Sequence, residues 1–185
     1  MILKSFEAEK NIESISKFKF TLIYGENSGL KDKLKKEIIK KFSNYEIVNI
    51  YQEDLNKNKN VLIEEFKNSS LFSTKKLIII HQASDKIIKD IERVFAEKED
   101  TKIILFGELL EKRSKLRYLF EKDKELSIIP CYNDNDYTLQ RIINEELKDF
   151  KNVNKEVIEL IIETSNKDRG KIYNNIQKIK NYFEN

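Results

Sequence analysis

A chain of 185 residues accommodates one large domain, or one full domain and a small one, and is long enough to bury a sizeable core. Charged residues reach 36% and apolar residues 39%, against about 25% and roughly 45–50% in average globular proteins. Lys and Arg (35) nearly balance Asp and Glu (32), and a net charge of +3 excludes a strongly basic protein devoted to gripping nucleic acid. The single cysteine, Cys131, and the single histidine, His81, exclude an internal disulfide and a Cys/His metal set. Uninterrupted apolar runs do not exceed four residues, so neither a membrane span nor a signal-type segment is expected. A cytoplasmic protein without metal follows as the expectation.

In chain order, the first β-branched and aromatic run is Thr21 to Tyr24. Leu30, Leu34, Ile38 and Phe42 then recur at helical spacing, with lysines between them and Asn27 and Ser28 as capping oxygens in front. Further strand-like runs are Glu46 to Tyr51, Leu77 to Ile80, Ile103 to Phe106 and Leu126 to Ile129. The runs are mostly continuous rather than alternating, as in strands covered on both faces, and their spacing leaves room for a crossover helix between them. These residues predict a five-stranded parallel sheet with helices on both faces. The polar stretch Asn56 to Asn60 reads as a surface loop, and Ile87, Ile88, Ile91, Val94 and Phe95 as another helix. Beyond Pro130, the only proline, periodicity lapses and three helical segments follow without another strand. Residues 1–132 are therefore expected to form an α/β domain and residues 137–185 a small helical one.

The first strand runs into TyrGlyGluAsnSerGlyLeuLysAspLys and then a helix, the position of a phosphate-binding loop. Aligned to GxxxxGK[ST], Gly25 and Lys31 are kept, while Leu30 replaces the second glycine and Asp32 the metal-binding Ser/Thr. Leucine crowds the backbone where phosphates must approach, and aspartate repels a triphosphate. The third strand ends in His81, Gln82, Ala83 and Ser84, without the acidic pair of a working NTPase, and Asp85 reads as the N-cap of the next helix. Between a helix ending near Lys67 and the strand from Lys76, Leu71 and Phe72 sit among small polar residues. They read either as core closing over the sheet or as two apolar anchors on a tip.

Several motifs occur in order: the strand–TyrGlyGluAsnSerGlyLeu–helix unit, SerLeuPhe before a basic pair and LeuIleIleIle, IleIleLeuPheGly with LeuGluLysArgSerLysLeuArg, and AsnLysAspArgGlyLysIleTyrAsnAsnIleGlnLysIleLys. Together they resemble the delta subunit of the bacterial DNA polymerase III clamp loader over nearly the whole chain. The resemblance implies an AAA+ type α/β domain followed by a three-helix lid, and a degenerate phosphate loop at Gly25, Gly29, Leu30, Lys31 and Asp32. It further implies a mechanical role: binding the sliding clamp (the beta subunit) and opening it during DNA replication without ATP hydrolysis by this chain. Leu71 and Phe72 would be the clamp-binding wedge with Ser69 at the flanking contact. Lys112, Arg113, Lys115 and Arg117 would face DNA or a neighbouring subunit, and Asp168, Arg169 and Lys171 fall in the lid's pattern. Members of that family continue into a helical collar through which loader subunits assemble, so partnership with those subunits is expected only where a collar is supplied. No cofactor, active site or membrane partner is expected. The alternative reading is a small P-loop ATPase or kinase with an unusual loop.

Overall fold

A computed structural model describes residues 1–68, 75–97, 101–150 and 153–183. In chain order its elements are α1 (Ser5–Lys10), α2 (Glu13–Ser16), β1 (Phe20–Tyr24), α3 (Ser28–Lys41), β2 (Glu46–Tyr51), α4 (Gln52–Lys57), α5 (Val61–Lys67), β3 (Lys76–Ala83), α6 (Ile88–Phe95), β4 (Thr101–Gly107), α7 (Lys115–Lys122), β5 (Leu126–Pro130), α8 (Asp136–Glu146), α9 (Lys155–Thr164) and α10 (Arg169–Phe183). A 3₁₀ turn at Asp85–Ile87 leads into α6. The residues group into two compact units, Met1–Glu26 with Leu34–Cys131, and Asn27–Lys33 with Tyr132–Asn185.

In the first unit the five strands pair in the order β2-β3-β4-β1-β5, and every pairing is parallel, as the spacing of the apolar runs predicts. Alternate residues of the central strand β1, Phe20, Leu22 and Tyr24, pack in one cluster with Leu55, Phe66, Ile91 and Phe120 from the helices. Ile23, Ile79, Ile104 and Ile129, from the alternate positions, are buried as well, so the sheet is covered on both faces. The i, i+4 row Leu30, Leu34, Ile38 and Phe42 is buried along its whole length.

Two sequence readings are corrected. The polar stretch Asn56 to Asn60 is helical through Lys57, because Leu55 is buried and the Asp54 carboxylate accepts from the Tyr51 N–H (3.3 Å) to start α4. Asp85 does not cap the helix that follows it. Ser84 holds that position, its hydroxyl accepting from the Lys86 N–H. Asp85 instead caps α7, thirty residues on: its carboxylate accepts from the N–H groups of Lys115 (3.0 Å) and Leu116 (2.9 Å) and from the Ser114 hydroxyl (2.6 Å). Ser114 then accepts from Arg117 N–H (3.2 Å), and the Tyr118 N–H makes the first intrahelical bond to the Ser114 carbonyl. The donors a helix start leaves open are all satisfied, by two side chains.

The C-terminal unit contains α8, α9 and α10 around Leu139, Ile143, Leu147, Ile162, Ile172 and Ile176. Each helix starts at a side-chain cap: Asn135 to the Thr138 N–H (2.8 Å), Asn154 to the Val157 N–H (3.0 Å) and Asp168 to the Lys171 N–H (2.8 Å). Asn166 and Lys167 adopt left-handed backbone (φ 49° and 57°) in the turn between α9 and α10.

Burial tends to raise the Asp85 pKa, but the bonds from Ser114, Leu116 and Lys115 outweigh it and hold the carboxyl below its ordinary value. A lowered folded-state pKa contributes stability above the unfolded value, about 3.9, and loses it as the pH falls through the folded value. Asp85→Ala is expected to cost about 1 kcal/mol at pH 7, the lower part of the capping range because the carboxylate is largely exposed. In urea denaturation the gap from the parent should shrink steadily below about pH 4; a gap independent of pH would show that the charge plays no part.

Candidate functional site

The loop after β1 is short and internally bonded. Gly25 has φ 132°, and a Cβ there would lie 2.2 Å from the Cys131 carbonyl oxygen, so both backbone angle and space require glycine. Helix α3 begins at Ser28, which places Gly29, Leu30, Lys31 and Asp32 within its first turns rather than in an open cradle. The Gly25 N–H donates to the Glu108 carbonyl (3.3 Å), the Leu30 N–H to Asn27 Oδ1 (3.0 Å) and the Lys31 N–H to the Asn27 carbonyl (3.0 Å). Leu30 and Lys31 are buried and Asp32 is exposed. Gly29 is required by space alone: a Cβ there would come 2.4 Å from the Gly170 nitrogen at the start of α10.

Beside this loop lies a buried polar triad that sequence reasoning missed. Asn27 Nδ2 donates to Asp134 Oδ2 (2.7 Å) and to the Tyr132 carbonyl (3.2 Å). Arg169 grips the same carboxylate bidentately through one edge of its guanidinium, Nε to Oδ2 and Nη2 to Oδ1, each 2.6 Å. The Arg169 side chain is 3% exposed and that of Asp134 8%. Of the other lid positions, Asp168 caps α10 and Lys171 is exposed. The available sequence signal was an acid-rich loop after Pro130 and an arginine at a helix start, which normally carries acids rather than bases.

The structure divides the basic cluster. Lys112, Arg113 and Lys115 line an open groove of about 890 Å³, together with Tyr118, Lys122 and Lys124 from farther along α7 and beyond it, and with Glu92 and Asp123. Arg113 also pairs with Glu111 (2.6 Å). Arg117 has a different setting: it pairs with Glu121 (2.8 Å), donates to the Leu110 carbonyl (3.1 Å) and lies over the Tyr24 ring. Tyr118 and Lys122 were not singled out from sequence, although their i+3 and i+7 spacing from Lys115 puts them on the same face of α7.

Ser69, Leu71 and Phe72 lie outside the described residues. Their flanks are firmly held. The Lys76 side chain, 6% exposed, donates from Nζ to the Glu65 carbonyl (2.9 Å) and the Asn68 carbonyl (2.8 Å) and pairs with the Glu65 carboxylate (3.3 Å). Thr101 Oγ1 donates to the Phe66 carbonyl (3.3 Å). The end of α5 and the start of β3 are thus tied together through one ammonium.

At the strand ends, His81 stacks between Tyr51 (4.8 Å) and Phe106 (6.3 Å), with Nε2 2.9 Å from Asn49 Oδ1. Burial, then the nearby Lys35 charge, lowers its pKa, which leaves a neutral ring at pH 7. Among the described residues no group of three or more His, Cys, Asp or Glu side chains is arranged to hold a metal ion. Among them, too, no helix is long and apolar enough to cross a membrane.

Because the Gly29 neighbour is backbone and cannot swing away, Gly29→Ala is expected to cost about 1–3 kcal/mol, the range for overpacking a tight contact. Chemical denaturation measures it; a change below about 0.5 kcal/mol would show that the helix starts separate at no cost.

Residues 22–131 match the family model described as DNA polymerase III, delta subunit. A curated relative, the probable DNA polymerase III subunit delta of Rickettsia prowazekii, is 25% identical over 165 residues, covering 88% of this chain and 50% of its own length. Among solved structures, the Bacillus subtilis DNA clamp loader delta protein (YqeN) superposes with a TM-score of 0.66 at 15% identity, over 97% of this chain and 57% of that one. AMPPCP-bound DnaA from Aquifex aeolicus superposes with a TM-score of 0.55 at 20% identity, over 95% of this chain and 59% of that one. The chain therefore spans about half the length of the curated relative. The two superpositions identify the fold as AAA+ type α/β. With the family model matched across the parallel sheet that carries the loop, the basic groove and the Lys76 brace, the chain belongs to the DNA polymerase III delta subunit family.

Proposed function

We propose that this chain engages the sliding clamp, the beta subunit, through Leu71 and Phe72, with Ser69 beside them, and opens it without hydrolysing ATP itself. In this reading residues 1–132 are the clamp-binding α/β domain, residues 137–185 are the lid, and the protein works in the cytoplasm. The observation that carries it is the brace between the residues that flank the segment: the buried Lys76 ammonium at the start of β3 is bonded to Asn68 and Glu65 at the end of α5. A segment whose flanking residues are already held costs less to order on binding than one with free ends. Lys112, Arg113 and Lys115 supply a charged face for DNA or a neighbouring loader subunit, with Arg117 behind them. Assembly with other loader subunits runs through a collar domain, where one is supplied.

The double change Leu71→Ala, Phe72→Ala tests the wedge. Truncating anchors of this kind costs about 2–4 kcal/mol of binding, roughly 30-fold to 1,000-fold in affinity. Clamp binding should be abolished while the melting temperature moves little. A large melting drop on the same preparation would make the pair core, and would sink the wedge even if binding disappeared.

Non-hydrolysis is supported by the loop geometry. The N–H groups of Gly25, Leu30 and Lys31 already have acceptors within the protein, and Asp32 stands where a metal-binding hydroxyl is needed. Calorimetric titration of the chain with Mg-ATP should give no tight binding. Micromolar affinity would instead favour the P-loop ATPase or kinase reading.

A further inference from the structure

The first turns of α3 and α10 touch, close enough that a Cβ on Gly29 would lie 2.4 Å from the Gly170 nitrogen. Each helix start carries partial positive charge on its leading N–H groups. Arg169, the first residue of α10, adds a full charge at the same place and is buried. Such a convergence is unstable without an anion, and it is the arrangement with which proteins hold phosphate. The anion present is the carboxylate of Asp134, which accepts from the α3 cap residue Asn27 on one side and bidentately from Arg169 on the other. Neighbouring charges have other work: Asp168 caps α10, Lys167 pairs with Asp136 (2.8 Å) and Lys33 donates to the Tyr173 hydroxyl (3.0 Å).

We propose that Asp134 is a built-in anion, holding the place where the converging starts of α3 and α10 would otherwise take a tetrahedral oxyanion such as phosphate or sulfate. Within the C-terminal unit the two helix starts are thereby held together by the chain's own carboxylate, and no nucleotide is needed to join them. The inference stands on this geometry and is independent of clamp contact.

The test is chemical rescue in the full chain. Asp134→Ala strips the carboxylate from a buried guanidinium, so the melting temperature should fall by several degrees in chloride buffer and recover by at least half in sulfate or phosphate at matched ionic strength. Inorganic pyrophosphate should bind the variant at least about tenfold more tightly than it binds the parent. Adding Arg169→Ala to the same chain should remove both responses. Should Asp134→Ala not fold in chloride, Asp134→Asn retains a hydrogen-bond acceptor for Asn27 while losing the charge, and should show the same selective rescue. The proposal is overturned if neither variant responds to oxyanions more than the parent does, if chloride rescues equally, or if the parent itself binds pyrophosphate as tightly as the variant.

Discussion

A carboxylate at the meeting point of two helix starts governs the part of this molecule in which a related nucleotide-binding fold would do its chemistry. Asp134 joins Asn27 to Arg169, and position 29 is glycine because its turn touches the backbone at Gly170. Once those turns are in contact, Leu30 and Lys31 are buried and their N–H groups are both bonded to Asn27. The glycine-rich turn that elsewhere cradles phosphate serves here as a packing surface. Gly25 has the same character, with its φ of 132° and its Cα against the Cys131 carbonyl.

On the parallel sheet, a second buried charge does comparable work. Lys76 sits at the first residue of β3, and its ammonium reaches back to the end of α5. Burying an ammonium is costly unless its donors are satisfied, and here two carbonyls and a carboxylate satisfy them. The arrangement fixes the ends of the segment that the family resemblance assigns to the clamp. The Asp85 cap does the same for α7 and hence for the wall of the basic groove. In each case a long-range polar contact sets the position of an element that local propensity alone would leave free.

The features legible in the sequence are those set by short-range periodicity. Continuous β-branched runs marked all the strands because both sheet faces are covered, and the Leu30–Leu34–Ile38–Phe42 row marked α3 because its apolar face is buried throughout. The family resemblance rested on the order of such segments, and the family model matches the same region. What escaped were contacts between distant residues. Asp85 looked like a cap for its own helix because nothing local shows that α7 starts beside it. Asp134 and Arg169 are 35 residues apart, and neither residue type predicts the other as its partner. Arg117 joined Lys112, Arg113 and Lys115 by proximity in sequence, yet the helix turns it toward Tyr24 and Glu121.

In the proposed role this chain acts by binding the sliding clamp and not by turning over nucleotide. The most direct test of that role is the dissociation constant of the chain for the sliding clamp, measured with and without Mg-ATP. Specific binding with the same constant in both conditions is predicted, because the Gly25, Leu30 and Lys31 N–H groups of the loop already have acceptors within the protein. An affinity that appears, disappears or shifts tenfold with Mg-ATP, or no clamp binding in either condition, would contradict it.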